Sequence, residues 1–240
     1  MIINADCDLA NRKTDGVVAI LPIYPFDDYL AQFWAPGHVA EVAAQATQSV
    51  LDLIDDEDGS ALQDWLRDTD AEQVADALTQ RAGLKKAQAL KLVSELERLA
   101  ICLAADKTFI ARFKELCRAA QNPQAYARTQ ITSAKKTMGE GHFFISDLVD
   151  HPAVGFVIRM RRIYTLPDQD LFTSTSAQRS GSGGDQATAV RVARLTPLYQ
   201  FKVLQVFAQQ YSRIGLPDEI SALGTLAIDD LVATFTGAAQ

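Results

Sequence analysis

The chain has 240 residues, with 23 Lys and Arg against 30 Asp and Glu for a formal net charge of −7, and it is 48% apolar and 22% charged. This is the composition of a folded globular protein, long enough for one large domain or two small ones. No apolar run approaches the roughly 18 residues of a membrane-spanning helix, the first residues lack the pattern of a secretory signal, and three cysteines are too few for a disulfide framework; the expectation is a cytoplasmic protein with no membrane partner.

Met1 to Asn4 reads as a short strand. Asn11 to Gly16 is a turn ending in the hairpin dipeptide Asp15-Gly16. Val17 to Ile23 follows as a continuous apolar run of strand length, suited to burial on both faces and ended by Pro22 and Pro25. From about residue 27 the period becomes helical. Val39, Val42, Ala43, Ala46, Val50 and Leu53 form one stripe, which the acidic run Asp55–Asp58 and Gly59 close. A helix is expected over Ser60–Arg67, and another after a cap at Asp70. The longest periodic segment is Leu84–Ala105, with Leu90, Val93, Leu96 and Leu99 among its inward positions. Phe109, Phe113, Leu116 and Cys117 repeat the pattern, and Pro123 opens one more helix running towards Met138.

Gly139-Glu140-Gly141 marks a return to strands, expected at His142–Ile145 and along Gly155–Tyr164. Ser174–Asp185, rich in Ser and Gly, is expected to be loop. A last strand over Ala189–Leu195 precedes a helix over Pro197–Tyr211, whose inward residues are expected to be Leu198, Phe201, Val203, Leu204 and Phe207. A weaker helix is expected from Asp218 onward. The predicted class is α+β: a small, mostly antiparallel sheet built from both ends of the chain (1–25 and 141–195), a helical insertion (26–140) and C-terminal helices (196–240) packing on the β domain. Strands this short need one another to be stable.

Three groups of residues carry candidate chemistry. Asp6 and Asp8 lie at i and i+2 beside a predicted strand, so their carboxylates point the same way and suit a divalent cation. With His142 they form the candidate catalytic set of a metal-dependent phosphodiester hydrolase; Asp147, Asp150 and His151 lie near His142 in sequence. A strand end with local turn bonds from Asp8 and Asn11 explains the same residues without catalysis. No compact metal-ligand spacing occurs, no phosphate-loop Lys follows the Ser180–Gly184 run, and there is no Gly-x-Ser-x-Gly elbow. No resident metal or cofactor is therefore expected.

The net charge conceals an asymmetry. Residues 1–80 hold 16 acidic and 3 basic residues, which leaves 14 acidic and 20 basic in residues 81–240. Arg112, Lys114, Arg118, Arg128, Lys135 and Lys136 fall on predicted helices. Arg159, Arg161 and Arg162, with Tyr164, fall on the predicted strand that follows. Arginines two apart on a strand share a face and can grip phosphates while the tyrosine stacks a base, so RNA or DNA is one candidate partner. Pairing with the acidic third is the alternative. The acidic helices between residues 37 and 80 could instead dock a basic protein without any catalysis.

Ile2 to Ile23, with its β-branched start, turn and closing Pro22-Ile23, resembles the central hairpin of the MazF/PemK toxin family. Gly155 to Leu171, containing Arg162-Ile163-Tyr164-Thr165-Leu166, is similar to that family's later strand. The likeness covers roughly 40 of the 240 residues. It implies an SH3-like barrel, which in that family is a ribosome-independent RNA-cutting toxin of prokaryotes. The chain departs from the pattern: Tyr24 stands where the family has Ser or Thr after Pro-Ile, and neither the opening Gly-Asp strand nor the arginine before the first matched strand is present. The resemblance thus implies a degenerate barrel that binds rather than cuts, in a toxin–antitoxin or defence setting.

Overall fold

Helices and short strands occur together in the computed structural model, which describes residues 1–3, 9, 11, 13–139, 141–148, 151–153, 155–181 and 187–211. In chain order the elements begin with β1 (Val17–Ile20), β2 (Ile23–Pro25), α1 (Phe26–Tyr29), a π-type turn (Leu30–Trp34) and α2 (Ala35–Ile54). They continue with α3 (Gly59–Asp68), α4 (Ala71–Ala82), α5 (Lys86–Leu103), α6 (Phe109–Ala119), α7 (Pro123–Lys136), β3 (His142–Ile145) and β4 (Phe156–Arg159). The last are β5 (Tyr164–Pro167), a 3₁₀ turn (Asp168–Asp170), β6 (Leu171–Phe172), α8 (Thr175–Gly181), β7 (Ala189–Val190) and α9 (Pro197–Tyr211). The class is α+β. Two compact units divide the chain: Met1–Pro22, Glu140–Phe143 and Ile158–Gln240 form the first, and Ile23–Gly139 with Phe144–Val157 the second.

The second unit is built on helices whose ends are set by local chemistry. Asp55, with φ 53°, takes the left-handed conformation that stops α2. The Asp58 side chain then accepts the Ala61 amide to start α3, and the Asp70 side chain accepts the Glu72 amide to start α4. Thr108 and Asn122 cap α6 and α7 in the same way, and Pro123 occupies the first turn of α7, where its missing N–H costs nothing. The core joins Ala46 and Val50 of α2, Leu62 and Leu66 of α3, Val74 and Leu78 of α4, and Leu92, Leu96 and Leu99 of α5. Val39, Val42, Cys102 and Leu116 make a second cluster. The buried stripe of α5 runs through Leu92, Leu96, Leu99 and Cys102. Leu90, expected inside, is 65% exposed, and so is the outward Phe109 of α6 at 42%. In both helices the buried residues are those facing α2, a choice that period alone leaves open.

Asp15 and Gly16 make the tight turn that opens the first unit. Their φ angles are 50° and 80°, the double positive pair of a type I′ turn, and the Val17 amide donates to the Thr14 carbonyl at 3.0 Å. β1 pairs antiparallel with β5 in the register Val17 to Pro167 through Ile20 to Tyr164. On its other edge Ile2 bridges to Ile20, with Ile3 N–H donating to Ala19 O and Leu21 N–H to Met1 O. β6 and β7 pair in parallel, and β2, β4 and β3 form a three-stranded sheet in that order. Strands of two to four residues, divided among three sheets, close no barrel among the described residues.

Several elements differ from their sequence expectation for identifiable reasons. Val17–Ile23 is not one strand buried on both faces. Pro22 interrupts it, and Val18 is fully buried while Val17 is half exposed. Gly155–Tyr164 is likewise two strands, because the chain turns at Met160 and Arg161. Ser174–Gly181, expected as loop, contains the short helix α8, which the Ser174 hydroxyl starts by accepting the Ala177 amide. α9 forms where expected, but with Leu198 80% and Phe201 72% exposed; only Val203 is fully buried. The helix expected from Asp218 lies outside the described residues.

Candidate nucleic-acid interface

The turn between β4 and β5 gathers the residues expected to contact nucleic acid and sorts them into two kinds. Arg159 is the last residue of β4. Its amide donates to the Pro22 carbonyl and its side chain is half-buried, with Nη1 out of solvent. Arg161 and Arg162 lie in the turn itself and are exposed. Arg159 and Arg161 therefore do not share a strand face, as their spacing alone suggests. The exposed pair is Arg161 and Arg162. Ile163 and Tyr164, 43% and 45% exposed, continue this surface. The Arg162 guanidinium lies 5.7 Å from the centre of the Tyr164 ring, a cation–π distance.

Contacts from distant parts of the chain hold the turn. Met160 N–H donates to the Gly141 carbonyl at 2.7 Å, and the Tyr211 hydroxyl donates to the Met160 carbonyl at 3.1 Å. Arg161 Nε donates to Gln210 Oε1 at 3.3 Å. Gly141 has φ 100°, and a Cβ there would stand 2.9 Å from Arg161 Nε and 3.0 Å from its Cδ and Cγ. The arginine stem thus runs across a stretch of backbone that only glycine leaves open. Neither Arg161 nor Arg162 forms an ion pair with a described residue. The ion pairs Arg81–Asp56, Arg98–Glu95 and Lys107–Glu115 all belong to the second unit.

The charge of the described residues follows the same division. The first unit holds eight Lys and Arg against three Asp and Glu; the second holds thirteen against eighteen. In the second unit lie the acidic helices between residues 37 and 80, and three of their carboxylates, Asp56, Asp58 and Asp70, accept backbone amides in their own segments. Asp58 is held below the usual carboxylate range chiefly by the Ala61 amide and then by the Ser60 hydroxyl.

A cleft of about 590 Å³ opens in the first unit. Its walls are partly apolar, from Leu9, Val18, Leu171 and Phe172, and partly polar, from Thr14, Asp168, Arg191 and Arg194. The Thr14 hydroxyl, on a residue 7% exposed, donates to Asp168 Oδ2 at 2.8 Å, and the Asp168 amide donates to the Gly16 carbonyl. The Asp15-Gly16 turn and the 3₁₀ turn after β5 are thereby locked together. Sequence reading missed this cleft. Arg191 and Arg194 sit three apart in an expected strand that is only two residues long, so nothing in their spacing set them on one face.

The candidate hydrolytic set does not assemble among the described residues. Asp6 and Asp8 lie outside them, as does Asp150. His142 is half-buried at the start of β3. In the second unit Asp147 accepts the Ser146 hydroxyl, while His151 Nδ1 accepts the Ala153 amide and its ring stacks edge-on with Phe156. No group of three or more His, Cys, Asp or Glu able to hold a metal occurs among the described residues, and no described helix is long and apolar enough to cross a membrane.

Two groups of the second unit with shifted pKa, His38 and Cys102, serve packing. His38 stacks on Trp34 at 4.4 Å and meets Phe113 edge-on, and burial lowers its pKa against a smaller raising effect from Glu41. Burial pushes the Cys102 thiol up to about 11, although Arg98 and Arg112 pull the other way. Arg112 is itself engaged there: Nη1 donates to Cys102 O at 2.9 Å and Nε to Lys107 O at 3.1 Å. A thiol so protonated is no nucleophile.

Against known proteins the chain matches no family model, no curated sequence and no solved structure.

Proposed function

We propose that this protein binds single-stranded nucleic acid, without cutting it, through Arg161, Arg162 and Tyr164. The observation that carries this reading is the pair of exposed arginines, unpaired with any described carboxylate, fixed on one turn beside an exposed aromatic ring. Guanidinium groups grip phosphates, and a tyrosine face accepts any stacked base. Arg159 supports the turn from behind, and Ile163 widens the apolar contact. The likeness to the MazF/PemK family points the same way. β1 and β5, which lie within the two matched segments, pair with each other, and the departure at Tyr24 favours binding over cleavage.

Fluorescence anisotropy with a labelled single-stranded RNA and the matching DNA tests this over a range of salt. Binding should weaken steeply as salt rises. The double substitution Arg161→Ala/Arg162→Ala should remove two phosphate contacts, making the slope of log K against log salt shallower by about 1.4 for a single strand. Tyr164→Ala should weaken binding by roughly 1–3 kcal/mol with the slope unchanged. Absence of binding at low salt, or a double variant that binds like the parent, would overturn the reading.

A further inference from the structure

The cleft of the first unit sets charges of both signs among apolar side chains. Asp168 is half-buried and forms no ion pair with a described residue. The Thr14 hydroxyl donates to its Oδ2 at 2.8 Å; a carboxylate accepts at both oxygens, so Asp168 keeps room for a second donor. Arg191 and Arg194 line the same cleft. A guanidinium carries several N–H donors in a planar fork and takes a carboxylate in addition to other acceptors. Leu171 and Phe172, both half-buried, supply apolar surface beside these groups.

Bonds from outside the cleft fix these walls. The Asp168 amide donates to the Gly16 carbonyl at 3.0 Å, and the Arg191 amide donates to the Phe172 carbonyl at 2.8 Å, where β6 and β7 run side by side. The Phe172 ring lies against Gly181 at the end of α8, where a Cβ would stand 2.8 Å from its Cε1. Gln178 of α8 donates through Nε2 to Thr188 Oγ1 at 2.7 Å, just before β7. β6, β7 and α8 thus form one local frame, and a site whose groups are already positioned loses little conformational freedom when a ligand enters.

The volume of about 590 Å³ falls within the roughly 300–1,000 Å³ of small-molecule sites, and a few polar groups among apolar side chains is the lining such sites have. The charges choose among small molecules. A simple carboxylate would meet Asp168, and a simple amine would meet two guanidinium groups. An uncharged apolar molecule would take water from all three and return no hydrogen bond. A ligand that carries both signs beside an apolar group answers each of them. We propose that this cleft binds an apolar α-amino acid, with its ammonium on Asp168, its carboxylate on Arg191 and Arg194, and its side chain against Leu171 and Phe172. This proposal does not rest on nucleic-acid binding.

Isothermal titration calorimetry of the full chain with L-phenylalanine and L-leucine tests it. Each should bind one-to-one with a Kd of about 1 mM or tighter. N-acetyl-L-phenylalanine, which lacks the ammonium, and L-phenylalaninamide, which lacks the carboxylate, should bind at least about tenfold more weakly, because each forfeits one of the two charge pairs. Asp168→Asn should weaken L-phenylalanine by a similar factor and leave the N-acetyl derivative unchanged; an asparagine still accepts the Thr14 hydroxyl, so the contact between the two turns survives. Arg194→Gln, at an exposed position, should weaken L-phenylalanine and leave the amide unchanged, and it serves if the first variant unfolds. No saturable heat with either amino acid, derivatives that bind as tightly as L-phenylalanine, or affinity unaltered by both substitutions overturns the proposal.

Discussion

Gly141→Ala tests how the arginine turn is built. The native φ of 100° lies outside the conformations an alanine adopts easily, and holding one there costs about 1–3 kcal/mol. The new Cβ would also stand 2.9–3.0 Å from three atoms of the Arg161 side chain. That neighbour can move, so the clash is relieved by displacing Arg161, at the expense of its bond to Gln210. Two consequences follow, each with its own assay. The denaturant midpoint should fall by an amount equivalent to about 1–3 kcal/mol at unchanged m-value. Single-strand binding should weaken with a salt slope shallower by about 0.7, the value of one phosphate contact. Gly37→Ala is the control: Gly37 sits in α2 with no atom within 4 Å of the added Cβ, so the change should be neutral or stabilise by up to about 1 kcal/mol. A Gly141→Ala variant as stable as the parent, with its affinity and salt slope unaltered, would refute the idea that a bare backbone at 141 places Arg161.

Other substitutions probe the helical unit. Leu96→Ala removes a fully buried side chain at the centre of the core and should cost about 2–5 kcal/mol in chemical denaturation. Because burial lowers the His38 pKa from its ordinary 6.5, the unfolded chain holds that proton more tightly; the contribution of a neutral His38 should be full above pH 6.5 and fall as pH drops below it. The difference in unfolding free energy between the parent and His38→Phe, followed from pH 7.5 to about 5, should therefore narrow in favour of the variant; a constant difference would remove His38 as the cause. Cys102, raised to about 11, should resist a thiol reagent at about pH 8 in the native protein and react once unfolded.

Local signals are legible in the sequence where the chemistry is itself local. Asp-Gly marked a turn because its φ values demand such residues. Asp70 and Pro123 marked helix starts because an orphan N–H needs an acceptor and a missing one needs none. The errors share a different origin. Leu90 and Leu198 satisfy a 3.6-residue period as well as their buried neighbours do, and only the position of a packing partner decides between adjacent stripes. The break at Met160 has no Gly or Pro to announce it. There the chain turns because Gly141 and Tyr211, 19 residues before and 51 after, bind the two polar groups of Met160.

The same break changes what the three arginines mean. As a strand they would form an alternating row, with Arg159 and Arg161 acting together and Arg162 pointing away. As a strand end and a turn they separate by burial. Arg159 stays with β4, where Pro22 anchors its backbone, and taking its guanidinium wholly into water to meet a phosphate would disturb that packing. Arg161 and Arg162 need no such rearrangement. Their backbone is fixed through Met160, and one stem is guided over Gly141. A site whose cations are already held in water-facing positions loses little conformational freedom on binding, which favours affinity without any new contact. The electrostatic asymmetry of the chain acquires a location in this way: the described part of the first unit carries a basic excess, and Arg161 and Arg162 are the exposed part of it that the β4–β5 turn presents.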